Sequence, residues 1–258
     1  MNEMKSACDR PVKERWEGHW MRCGWALVAA AAVVSGPFGP GHAAASIVVM
    51  DQILDPSKYD SSATLGVNAS QIYSDFEAFS AMALDDFEVD SGELRLSRLS
   101  VLMLAGSGFA SFGTVTGYQI SIFSDPKLAG ASLLGDVAST LIGQGAGVNV
   151  TRINGSDLGL VDFDIDIELP DEGTYWLGVS VVGSLAGSGQ FFIRDNGANG
   201  VVDPGGKNGF LANPGEGFER GTLITANTDY AYRITAVPEP ACAMFALLAA
   251  PLVLRRRR

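Results

Sequence analysis

Nine residues constrain this chain more than any others: Val161-Asp162-Phe163-Asp164-Ile165-Asp166-Ile167-Glu168-Leu169 alternates apolar and acidic without a break. A strict period of two is a strand pattern, because successive side chains leave a strand on opposite faces. A helix would scatter the same carboxylates around its axis. One face of this strand can enter a core. The other carries Asp162, Asp164, Asp166 and Glu168, successive carboxylates ~6.5 Å apart, and must meet water, cations or arginines.

The rest of the chain agrees with that start. Apolar or alternating runs at 47–51, 82–89, 93–104, 118–123, 148–153, 160–169, 174–182, 190–195 and 229–236 read as strands. Between them lie turn clusters such as FSDPKLAG, GQGAG, LPDEG and NPGEG. Only Ser70 to Met82 reads as a short helix. Many short strands between glycine-rich turns predict an all-β fold, an antiparallel β-sandwich of jelly-roll type, over residues 46–236.

Composition narrows the chemistry. Between Ser46 and Val237 there are 24 acidic and 9 basic residues, a formal charge of −15. Such a surface repels phosphate backbones, so nucleic acid is not an expected partner. All three cysteines (Cys8, Cys23, Cys242) and both histidines (His19, His42) fall outside that stretch. A domain trimmed to it has no thiolate or imidazole for zinc, and no Cys-His or Ser-His-Asp catalysis. No catalytic residue is assigned, and the chain is read as a non-enzyme.

The ends have their own logic. Arg22, the ten apolar residues Trp25 to Val34 and the small residues Ala43-Ala44-Ala45 have the layout of a secretory signal peptide with its cleavage site. Residues 1–20 are polar and lengthen this leader, and Met21 would open a signal of ordinary length. At the other end Val237-Pro238-Glu239-Pro240 precedes the apolar stretch 241–254 and the cluster Arg255, Arg256, Arg257 and Arg258. Two prolines around Glu239 hold the backbone extended. The 14 apolar residues would make a helix of roughly 21 Å, short against a hydrocarbon core of ~30 Å. The arginines should stay cytoplasmic.

In its three parts and their order, the segment 237–258 resembles the PEP-CTERM sorting signal of Gram-negative bacteria. The resemblance implies recognition by exosortase, removal of the tail near the Pro-Glu-Pro motif, and delivery to the cell surface or an extracellular matrix rich in exopolysaccharide. With signal peptidase acting at 43–45, the protein would sit in the inner membrane only transiently, through 241–254. The stretch ALDDFEVDSGELRLSRLSVLMLAG, with GYQISIFSDPKLAG and DEGTYWLGVSVV, also resembles ectodomains carried by such proteins, which implies a β-sandwich and no particular chemistry.

Several candidate sites remain inside the domain. Asp162, Asp164, Asp166 and Glu168 suit calcium, which takes six to eight oxygen ligands, but only if other segments converge on them. Pairing with Arg95, Arg98 or Arg152, or a solvated face, are the alternatives. Asp85-Asp86 reads as turn chemistry or an ion ligand at a strand start. The loop 195–203 is oxygen-rich but lacks EF-hand order. Gly143 to Gly147 leads into strand-like residues, against a nucleotide loop. Asn68, Asn149 and Asn154 head glycosylation-type triplets. Tyr230 and Tyr232 share a strand face that either packs or touches a glycan, and no platform of stacked aromatics is legible. The resulting expectation is an exported protein with a structural or adhesive role linked to exopolysaccharide. A carbohydrate- or calcium-binding lectin-like module is the alternative, and a carboxylate glycosidase a distant third.

Overall fold

The computed structural model describes residues 46–59, 67–90, 93–106, 111–145, 147–153, 157–196, 209–226 and 228–238. The expected signal segment with Ala43, Ala44 and Ala45, the expected start at Met21, Asn154, most of the 195–203 loop, Glu239, Pro240, the tail 241–254 and Arg255 to Arg258 lie outside them. Among the described residues no helix is long and apolar enough to cross a membrane.

The chain is all-β. Its first strands are β1 (Ile47–Asp51), β2 (Val67–Ala69), β3 (Gln71–Tyr73), β4 (Met82–Val89), β5 (Arg95–Gly106), β6 (Gly117–Phe123) and β7 (Ala138–Gly143). Then come β8 (Val148–Arg152), β9 (Leu158–Glu168), β10 (Gly173–Gly183), β11 (Gln190–Arg194), β12 (Phe210–Ala212), β13 (Leu223–Thr225) and β14 (Tyr232–Val237). Two one-turn helices, α1 (Pro126–Ala129) and α2 (Leu185–Ser188), interrupt them.

The strands form two seven-stranded sheets. In the first, β5 is the hub: β14 and then β11 pair along one edge, β9 along the other, with β1 beside β14, β2 beside β11 and β8 beside β9. The second runs β13-β12-β4-β10-β6-β7. Pairing is antiparallel except where β3 joins β10 in parallel. One core lies between the sheets, with Leu99, Val101, Phe163, Phe191 and Ile234 from the first against Phe87, Tyr118, Ile120, Leu177 and Val179 from the second. Phe163 meets Tyr118 edge to face at 5.1 Å, a preferred aromatic geometry. The Tyr232 hydroxyl ties the sheets together, donating to the Ala83 carbonyl at 2.9 Å and accepting from the Val179 amide at 3.2 Å.

The outer face of the second sheet has its own cover. Phe123, Met82 and Leu84 pack there with Ala129 and Leu133. The turn after β6 makes this possible: the Asp125 carboxylate caps the Lys127 amide at 2.9 Å, and Pro126 opens α1, both favourable at a helix start.

Two expectations are corrected, and for Tyr230 and Tyr232 the packing alternative is borne out. Ser70 to Met82 is not a helix; it contains β3, a 3-10 turn at Glu77–Phe79 and the start of β4. Gln71 explains why: its side chain donates to the Gly189 carbonyl and accepts from the Phe191 amide, both at 2.9 Å, which holds this backbone extended. Asp85-Asp86 lies inside β4 and not at a turn. Tyr230 and Tyr232 are fully buried, so neither can touch a glycan. Strands β2, β3, β7, β12 and β13 appear where no strand was expected.

Candidate functional site

The acidic strand sits as its period demands. In β9, Val161, Phe163 and Ile167 are buried while Asp164, Asp166 and Glu168 are exposed. In the register with β5, Arg98 stands opposite Asp164 and Ser100 opposite Asp162. Arg95, opposite Glu168, reaches diagonally to Asp166 with two parallel bonds of 2.7 and 2.9 Å. That grip holds the Asp166 carboxyl below its ordinary pKa. The Ser100 hydroxyl donates to Asp162 at 2.6 Å. Arg152 pairs with Asp157 at 3.6 Å and lies over the Phe112 ring, 5.1 Å from its centroid. A nearly straight strand spreads its carboxylates ~6.5 Å apart instead of converging them. Among the described residues, no group of three or more His, Cys, Asp or Glu is arranged to hold a metal ion. Gly143 to Gly147 leads into β8 with no helix to cradle a phosphate.

Asp85 is fully buried between the sheets. Its carboxylate accepts from the Tyr230 amide at 2.6 Å and the Asp86 amide at 3.1 Å. Gln52, with its amide nitrogen turned toward these acceptors, donates to Asp85 at 2.8 Å and also to the Tyr230 carbonyl. Burial pushes the Asp85 carboxyl well above the usual range; the Tyr230 amide opposes this, and the negative charges of Asp229 and Asp86 add to it. The three donors described on Asp85 are all backbone or amide N–H groups. Asp85 is therefore a staple joining β4 to the segment before β14.

The fold also assembles a surface cleft of about 300 Å³ lined by Tyr73, Phe76, Phe79, Leu185, Gln190 and Phe218. Four separate segments supply it: the end of β3 with the 3-10 turn, the start of α2, the start of β11, and the loop after β12. Phe76 is 48% and Phe79 42% exposed, and what sets them apart from singly exposed apolar residues is that they share one cleft. Phe79 and Phe218 stand edge to face with centroids 5.7 Å apart. Tyr73 forms the floor, 4% exposed; burial, with Asp75 nearby, pushes its phenol up to about 12 against the pull of a Gln190 hydrogen bond.

The cleft is built rigidly. Asp75 accepts from the Leu185 and Ala186 amides at 2.8 and 3.3 Å, fastening α2 to the turn. Asn213, fully buried, does more. Its side-chain nitrogen donates to the Ala78 and Ser80 carbonyls at 2.9 and 2.8 Å, and its oxygen accepts from the Phe218 amide at 3.2 Å. Gly217 also donates to Ala78 at 2.8 Å. A Cβ at Gly215 or Gly217 would collide with the Ala78 backbone, so the loop seats this closely only with glycines there. Glu216 and Glu219 take φ of +55° and +52°, a left-handed conformation that side chains other than glycine, asparagine and aspartate rarely adopt. Strain of this kind gathers at ligand sites.

None of these lining residues was singled out in the sequence. Tyr73, Phe76 and Phe79 lie in the stretch expected to be a helix, Phe218 follows NPGEG, which reads only as a turn, and no local pattern joins the two. No protein-family model matches the chain, and neither a curated protein nor a solved structure matches it.

Proposed function

We propose that this is an exported protein of the cell surface or extracellular matrix, with a structural or adhesive role, whose sandwich holds exopolysaccharide in the aromatic cleft. The observation that carries the reading is the cleft itself: exposed phenylalanine faces beside polar groups at Tyr73 and Gln190. Sugar rings offer apolar C–H faces to aromatic rings and hydroxyls to fixed polar groups, the mixture that small-ligand sites present. No carboxylate is among the six lining residues, which favours holding a glycan over cleaving it. No cofactor is required.

Delivery follows the resemblance to PEP-CTERM proteins: signal peptidase cuts at 43–45, the inner membrane holds 241–254 transiently, and exosortase acts near Val237 to Pro240. The first and last strands support such handling. Ile47 pairs with Ala236, so both ends of the folded domain lie together at one end of a sheet. Val237 closes the ladder opposite Arg95, and Pro238, which has no amide to donate, follows it. The order β1-β14-β5-β9 against β4-β10-β6-β7 also supports jelly-roll wiring, an architecture that includes lectin domains; that is fold-level analogy only.

Two measurements test the reading. Mass spectrometry of protein from its native host should find an N-terminus at Ala44 or Ser46 and a C-terminus within 237–240. An intact Arg258 would replace the sorting signal with a permanent anchor. Titration of the purified domain with the host's exopolysaccharide should show binding that Phe79→Ala or Phe218→Ala weakens at least tenfold, about 1.4 kcal/mol. Equal affinity in both variants would remove the cleft from the reading.

A further inference from the structure

Resting on the reading of the cleft as a glycan site, we infer that its ligand carries a free ammonium group: the cleft takes an amino-sugar residue with an unblocked amine. Two features point the same way. The faces of Phe76, Phe79 and Phe218 carry the negative side of the ring quadrupole, which attracts ammonium groups within about 6 Å. The segments that supply those rings are also acidic. Glu77 lies between Phe76 and Phe79, and Glu216 and Glu219 flank Phe218; all three glutamates are exposed. With Asp75, the segments 73–79, 185–190 and 213–220 hold four carboxylates against one cation, Arg220. The cleft is thus an aromatic site inside a negative field, and the −15 charge of residues 46–237 extends that field.

Other sugars fit less well. A uronic acid or sulfated sugar would bring its charge against those glutamates. A neutral hexose would use the ring faces and leave the field unused. An acetylated amine has lost the charge that both features favour. The volume of about 300 Å³ is at the small end of ligand sites, suited to a short stretch of polymer rather than to a folded partner.

The test compares four probes by titration calorimetry at pH 6 and low salt: glucosamine tetramer, its fully N-acetylated counterpart, a glucose tetramer and choline. The glucosamine tetramer should bind at least tenfold tighter than either other sugar and weaken in 0.5 M salt. A Glu77→Gln, Glu216→Gln, Glu219→Gln triple variant, checked for folding by circular dichroism, should lose that preference while keeping residual binding of the acetylated tetramer. Equal or tighter binding of the acetylated or glucose tetramer overturns the inference and leaves the glycan site standing. Choline binding as tightly as the glucosamine tetramer overturns the amino-sugar assignment in favour of a small ammonium ligand. Failure of all four probes while the host's exopolysaccharide binds also overturns it. If that polymer fails too, the glycan reading falls with it.

Discussion

Replacing Asn213 with leucine is expected to destabilise the protein by about 3 kcal/mol and to abolish binding in the cleft. The side chain is fully buried and makes three bonds, to Ala78, Ser80 and the Phe218 amide. Leucine matches its shape but meets none of those groups. The Phe218 amide is then left without that partner, and the Ser80 carbonyl loses its donor. An unsatisfied buried group costs about 1–3 kcal/mol. Because Asn213 is the joint between the 3-10 turn and the loop carrying Phe218, the two rings should also lose their edge-to-face geometry. Urea unfolding and polysaccharide titration on the same variant read both effects. A stability loss below about 1 kcal/mol with unchanged affinity would show that the glycine contacts alone seat the loop. Asn213→Asp should be worse than leucine, since it turns an oxygen toward two carbonyls.

Asp85 should give the protein an acid-side stability component. Its carboxyl has a raised pKa in the folded state, chiefly through burial, so the native protein holds a proton that the unfolded chain has released. Stability from this group is complete below the ordinary aspartate pKa and is lost as pH rises from there through the raised value. The slope can reach one proton, about 1.4 kcal/mol per pH unit. Asp85→Asn stays neutral throughout and should lack this component, at the cost of one mismatched bond to the Tyr230 or Asp86 amide. Urea unfolding of both proteins across pH 4.5 to 7.5 isolates it as the difference between the two profiles. Parallel profiles would mean that the three donors around Asp85 outweigh its burial.

These two residues also mark where sequence reading ends. The alternation in β9 was legible because a period of two commits every second residue to one face, whatever the partner strand. The strands 47–51 and 82–89 were also bounded correctly, the first an apolar run and the second a mixed one followed by Asp90-Ser91-Gly92. Short strands such as β12 and β13, three residues each, carry too few side chains to show any period. The segment 70–82 misled because aromatic spacing there mimics a helix, while Gln71 hydrogen bonds to residues more than a hundred positions away.

By itself, then, the sequence determined the fold class, the acidic character and the wet face of β9, all of which follow from local pattern and composition. The tertiary structure alone decided that Asp85 is an interior staple, that Tyr230 and Tyr232 are core, and that Tyr73, Phe76, Phe79 and Phe218 meet. The physical reason is distance along the chain. Phe79 and Phe218 come together only because two sheets pack and Asn213 joins a turn to a loop more than a hundred and thirty residues away.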